Sequence, residues 1–195
     1  MFILTTFSDL ITIPPALFRV RTRSALEDLI NAKYANKVVP NTGLCIALYD
    51  ILKSGDGVVY KGSANVNVTF RMIVFRPFKG EILTGRISSS TQHGIKVRLG
   101  GFFDDVFIPG DNMFEGTKFD HLEQIWVWNN DGEAYYMDKN EEIRFRIETE
   151  FFRDQNPRAP LKAGETDVES EQNRAPSYHI LGSCNQSGLG LVSWW

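Results

Sequence analysis

Residues 80–109 read GEILTGRISSSTQHGIKVRLGGFFDDVFIP. Three apolar runs stand in this stretch, parted by Ser, Thr, Gln and His in one place and by Gly100-Gly101 in the other. In the middle run Ile95, Val97 and Leu99 alternate with Lys96 and Arg98. That is the period of a strand with one face in a core and the other in water. The same alternation returns further on, where Ile143, Phe145 and Ile147 enclose Arg144 and Arg146. Strands are expected at 81–88, 94–99, 102–108, 124–128 and 142–151, with Gly, Asp and Asn between them. Five short strands with one irregular insertion, 110–121, predict a closed OB-type barrel.

Upstream the pattern changes. The first segment alternates and stops at Pro14-Pro15, as a strand stopped by proline does. A helix follows, for which Ser24 with Glu27 three residues on forms a capping box. Leu26, Ile30 and Tyr34, widened by Leu29, make its apolar stripe. GLCIALYDIL (43–52) reads as a central strand, 54–57 (SGDG) as a turn, and 66–75 as a long β-branched strand. Residues 1–79 are thus an α+β domain, and 76–80 (RPFKG) is the hinge to a second domain at 80–195. Residues 153–176 are polar and hold three prolines, and a flexible loop is expected there. A sixth strand is expected at 178–183. The closing GLGLVSWW (188–195) is too apolar for water and should dock on the barrel or a partner.

Composition bounds the class. The chain has 195 residues, 43% of them hydrophobic and 12% aromatic. It is long enough to bury a core without metal or disulfides. No apolar run approaches the roughly 20 residues that span a bilayer, and the N-terminus lacks a basic n-region, so an intracellular protein is expected. Cys45 and Cys184 sit among apolar neighbours and read as buried free thiols. Residues 1–79 carry ten Lys/Arg against five acids, and residues 80–152 carry seven against fourteen. Two modules with different partners fit that split. The acidic balance also argues against tight, non-specific duplex binding by the second.

Enzymatic chemistry finds no support. His93, His121 and His179 form no ligand pattern with the cysteines, and no phosphate-loop, dinucleotide or zinc-protease motif is present. The acid pairs Asp104-Asp105 and Glu141-Glu142 are neighbours on strands, so the members of each pair should point to opposite faces. No cofactor or metal is expected. Nucleic acid is better supported. OB barrels bind single strands with a basic groove and aromatic platforms. Lys96, Arg98, Arg144 and Arg146 lie on outward faces. Trp126 and Trp128 share one face of their strand, where they either stack on bases or pack under the insertion and the tail.

The whole chain resembles the larger stalk subunit of eukaryotic RNA polymerase III, homologous to that of polymerase II and to its archaeal counterpart. ITIPP, ANKVVPNTGLCIALYDI and VFRPF match the family's N-terminal tip domain. EILTGRI, GFFDDVFIP, EQIWVW, YYMDKNEEIRFRI and GLGLVSWW match its barrel. The resemblance implies an S1-type barrel and a nuclear, non-catalytic subunit. It implies a heterodimer with a smaller helical stalk subunit, seating on the polymerase core, and contact with initiation factors and nascent single-stranded RNA. S1 barrels carry aromatics in F-G-x-F, which here is His93-Gly94-Ile95-Lys96, and a histidine late in the third strand, which falls near Ile108. The resemblance thus adds His93 and supports Lys96, and with the outward-facing Arg98, Arg144 and Arg146 these are the candidate RNA-contact residues. With His, Lys and Ile at the stacking positions, RNA affinity should be modest and steeply salt-dependent. Two other classes compete. A free RNA-processing module would keep the stacking aromatics, and a protein-docking adaptor would use the acidic barrel with little RNA contact.

Overall fold

Strand β1 (Phe2–Ile13) ends at Pro14, and a 3-10 turn at Pro15–Leu17 leads into helix α1 (Thr22–Tyr34). Strands β2 (Lys37–Val39), β3 (Gly43–Ser54), β4 (Val58–Tyr60) and β5 (Ser63–Phe75) follow. They form one antiparallel sheet in the order β1-β5-β3-β2, with β4 folded back on β5. Every second residue of β5, from Val66 through Val68, Phe70 and Met72 to Val74, is buried under α1. Ala25, Leu26 and Ile30 supply the helix side of that core, each large apolar side chain contributing about 1.5–3 kcal/mol. Asp9 faces the helix too, and takes hydrogen bonds from Lys33 Nζ at 2.5 Å and Tyr34 Oη at 2.6 Å.

The helix starts earlier than the capping signal. Thr22 and Arg23 are already helical, Arg21 is the N-cap without a side-chain bond, and Glu27 pairs with Arg23 at 3.0 Å. Docking of Ala25 and Leu26 sets the phase of the helix, and Ser24 falls inside its first turn.

The computed structural model describes residues 1–130, 132–153 and 176–195. It divides into two units, Met1–Pro77 and Phe78–Trp195. The second unit holds β6 (Ile82–Thr91), β7 (Gly94–Leu99), β8 (Phe103–Pro109), β9 (Thr117–Asp120), β10 (Ile125–Asn130), β11 (Glu133–Met137), β12 (Glu142–Phe152), β13 (Tyr178–Ser183) and β14 (Gly190–Leu191). Five of these close a ring, β6-β7-β8-β13-β12 and back to β6. β13 runs parallel to β8 and antiparallel to β12. Ile87, Ile95, Val97, Val106, Ile108, Ile143, Phe145 and Ile180 fill the interior. Both cysteines are free and buried.

The membership of the barrel corrects the sequence reading. Residues 124–128 do hold a strand, β10, but it pairs with β9 and β11 in a separate three-stranded sheet. The fifth barrel strand is β13, expected only as an extra. Short turns let β9, β10 and β11 satisfy one another locally, so β10 has no free edge to give to the barrel. Closure instead uses a strand distant in sequence. Gly182 admits it, since a Cβ there would lie 2.9 Å from Phe145 Cδ2. The loop expected at 153–176 lies, apart from Arg153 and Pro176, outside the described residues.

The two tryptophans bind the inserted sheet to the barrel. Trp126 Nε1 donates to the Thr91 carbonyl at 2.9 Å, and its ring sits where a Cβ on Gly110 would be, at 2.6 Å. Trp128 stacks on Phe114 at 4.4 Å and meets Tyr135 and Trp194, each at 5.3 Å. The tail therefore docks on its own unit, with Leu191 of β14 opposite Ile143 of β12.

Candidate nucleic-acid interface

Four barrel strands, β7, β8, β13 and β12, lie side by side, and their outward residues fall in register. Lys96 is opposite Phe107, and Phe107 is opposite Leu181. In the next row His179 is opposite Phe151, the two rings stacked at 4.9 Å and 15°. Between the rows opens a cleft of about 220 Å³, bounded by Lys96, Asp105, Phe107, Arg153, His179 and Leu181. The tip of the Phe107 ring takes the space that a side chain at residue 94 would need. A Cβ there would meet Phe107 Cζ at 2.8 Å and the Ile108 carbonyl at 2.2 Å, and the backbone φ of 151° is itself unfavourable to side chains.

Asp105 lies on the same face as Phe107, beside a β-bulge. Val97 is opposite Val106 and Leu99 opposite Phe103, so Arg98 alone faces both Asp104 and Asp105. A bulge re-aims side chains, and here neither carboxylate enters the core. The expectation that the pair splits across the two faces is overturned. Asp104 accepts from Arg98 Nε at 2.8 Å, whereas no described residue donates to Asp105. Burial pushes the Asp105 carboxyl above its ordinary value, with Lys96 acting against that shift. Burial likewise holds the His179 imidazole below its ordinary value, helped by Arg153, and its Nδ1 is buried without a partner.

The five residues singled out in the sequence separate here. Lys96 stands exposed on the cleft rim. His93 is exposed in the β6–β7 turn, its ring beside Gln92 and its carbonyl accepting from Gly110 N–H at 3.2 Å. Arg98 is exposed but paired to Asp104. Arg144 and Arg146 tie down the C-terminal segment. Arg144 donates to the Gly188 carbonyl at 3.1 Å. Arg146 donates to Gln186 at 2.7 Å and to Glu148 at 2.5 Å, and Glu148 also accepts from Ser183.

The position expected to be aliphatic also changes. Ile108 is fully buried, and the outward residue beside Lys96 is Phe107. An aromatic platform thus exists, built from Phe107 and the Phe151–His179 stack. The alternation Val106-Phe107-Ile108 already marked Phe107 as outward. That β13 and β12 complete the platform could not be read without the strand order.

A larger cleft of about 770 Å³, bounded by Arg86, Arg98, Lys139 and Glu142, has no aromatic wall. Arg86 and Arg98 are opposite one another there, each neutralised by an acid, Glu142 at 3.0 Å and Asp104 at 2.8 Å. It is the poorer platform for a base. Among the described residues no group of His, Cys, Asp or Glu is arranged to hold a metal.

Comparison with known sequences agrees with both units. The model of the RNA polymerase III subunit Rpc25 family matches residues 81–195. The SHS2 domain found in the N terminus of Rpb7p/Rpc25p/MJ0397 matches residues 8–64. The chain is 46% identical to the DNA-directed RNA polymerase III subunit RPC8 of Saccharomyces cerevisiae, with 100% of both chains covered. It is 44% identical to the corresponding subunit of Schizosaccharomyces pombe over 100% of both chains. Identity to that of Bos taurus is 41%, over 100% of this chain and 98% of the relative. On a full-length match at this identity, together with the two domain matches, the chain belongs to the RNA polymerase III subunit Rpc25 family, the stalk subunits related to Rpb7.

Proposed function

We propose that the chain is a non-catalytic nuclear subunit that holds nascent single-stranded RNA against the outer face of β7, β8, β13 and β12. One observation carries the RNA contact: Lys96, Phe107, Leu181, His179 and Arg153 line one cleft on that face, with Phe151 stacked on His179. Phe107 and the Phe151–His179 stack offer π-faces to bases, and Lys96 and Arg153 offer charge to phosphates. Residues 1–79 serve as the tip domain, contacting the polymerase core and a smaller helical stalk subunit. Their basic balance and the exposed Phe18, Val20, Val58, Val59 and Tyr60 support that division of labour. Affinity need not be high where the polymerase itself supplies local concentration.

Photocrosslinking of 4-thiouridine-labelled transcript in the assembled polymerase tests the RNA face. Crosslinked peptides should come from 94–109 and 176–183, and a Lys96→Ala, Phe107→Ala variant should lose them. Crosslinks confined to other parts of the chain would overturn this reading.

A second reading, docking of initiation factors, has one observation in its favour. The turn after β9 holds Leu122 94% exposed, fixed by Asp120 Oδ1 accepting from Leu122 N–H at 2.8 Å and by Gln124 donating to the His121 carbonyl at 2.9 Å. A rigid turn with an exposed apolar tip suits a protein socket.

A further inference from the structure

We propose that Asp105 makes the outer cleft of the barrel selective for guanine, its carboxylate accepting from both N1–H and the N2 amino group of one base. This rests on the RNA reading above and adds which base the cleft takes.

The location of this acid is the first reason. A half-buried carboxylate beside a surface that meets phosphates repels the polyanion. Its neighbour Asp104 is answered by Arg98, but no described residue donates to Asp105. Asp105 shares the outward face of Phe107, two residues on, and the bulge opposite Arg98 turns Asp104 outward as well. The cleft is also lined by Phe107, its ring tip against Gly94, and a base stacked on that ring has Asp105 on the same face to meet its edge.

Base chemistry then selects. An ionised carboxylate only accepts, through two oxygens side by side. Guanine alone presents two adjacent donors on its Watson–Crick edge. Uracil offers one N–H between two carbonyls. Adenine and cytosine each set one amino group beside a ring nitrogen that accepts. Each of those three bases puts at least one lone pair against a carboxylate oxygen. Single-stranded RNA exposes that edge to readout.

Fluorescence anisotropy with the full-length chain at low salt tests this. The probes are a short uridine tract and the same tract with one central guanosine, inosine or adenosine. The guanosine probe should bind about tenfold more tightly than the uridine tract, as a good bidentate pair allows. Inosine, which lacks the N2 amino group, should lose most of that gain, and adenosine all of it. Asp105→Asn, nearly isosteric, should abolish the preference while still binding the uridine tract. Equal binding of all four probes overturns guanine selection and leaves the RNA face standing. A guanosine preference that survives in Asp105→Asn overturns it as well. Binding of none of the probes overturns both.

Discussion

Arg144 and Arg146 sit at outward strand positions, yet their guanidinium groups face the protein's own C-terminal segment. Outward means only away from the core. Another segment of the chain can cover that side, and here residues 183–188 do so. Glu148 organises the cluster: the Ser183 hydroxyl and Arg146 hold its carboxyl below the ordinary range against the opposing effect of burial. A depressed carboxyl stabilises the fold above its unfolded value, near 4.3 for glutamate, and that contribution is lost as pH falls through the lower folded value. Glu148→Gln should therefore lower the urea midpoint at neutral pH, and its difference from wild type should close as the solution is made acid. A difference that persists unchanged into the acid range would contradict this origin. Arg146→Ala should cost about 1–2 kcal/mol through the bonds it removes, and should leave the RNA affinity of the folded protein as it was.

The inserted sheet shows how an element can be identified correctly and still be misplaced. Residues 124–128 read as a strand, because the preference for extended structure is a local property. Pairing is not local. β10 finds both neighbours within a few residues, while β13 must come back from beyond residue 176 to lie parallel to β8. A parallel pair needs a long connection, and nothing in local sequence states where such a connection lands. The same gap hid half of the candidate interface. Lys96 was legible from alternation alone, but Phe151 and His179 join it only through β12–β13 and β13–β8 pairing. The tail was legible in character and not in target. Of its two tryptophans, Trp194 closes the aromatic group of Phe114, Trp128 and Tyr135. Trp194→Ala should then cost about 2–4 kcal/mol, at or below the range for a buried large aromatic. Trp128 emission should shift to the red, because its ring would lose a covering neighbour. Unchanged emission and midpoint would show that the tail does not hold the insertion.

At the scale of the whole molecule, charge is the property the sequence stated most plainly and the structure qualified most. Counted by residue, the second unit offers Lys96, Arg98, Arg144 and Arg146 to an anion. Counted by partner, Arg98 is held by Asp104, Arg144 by a carbonyl, and Arg146 by Glu148 and Gln186. Of that set Lys96 lines the cleft, joined there by Arg153. The salt dependence of binding counts phosphates neutralised, with a slope of about −0.7 in log affinity against log salt for each on a single strand. Two cations at the cleft give a slope of about −1.4, shallower than the steep dependence expected when all four outward residues are taken as free. Lys96→Ala should bring it to about −0.7, whereas Arg98→Ala should leave it near the wild-type value, since Asp104 already neutralises that charge. Phe107→Ala should weaken binding by about 1–3 kcal/mol, as loss of one stacked base does, without altering the slope. Titration of one uridine tract across a salt series, with all four proteins side by side, separates the charge contribution from the stacking contribution. A wild-type slope of about −3 or steeper, made shallower by about 0.7 in Arg98→Ala, would mean that the paired arginines release their acids to bind RNA. The face would then extend across β7 to the larger cleft beside Arg86.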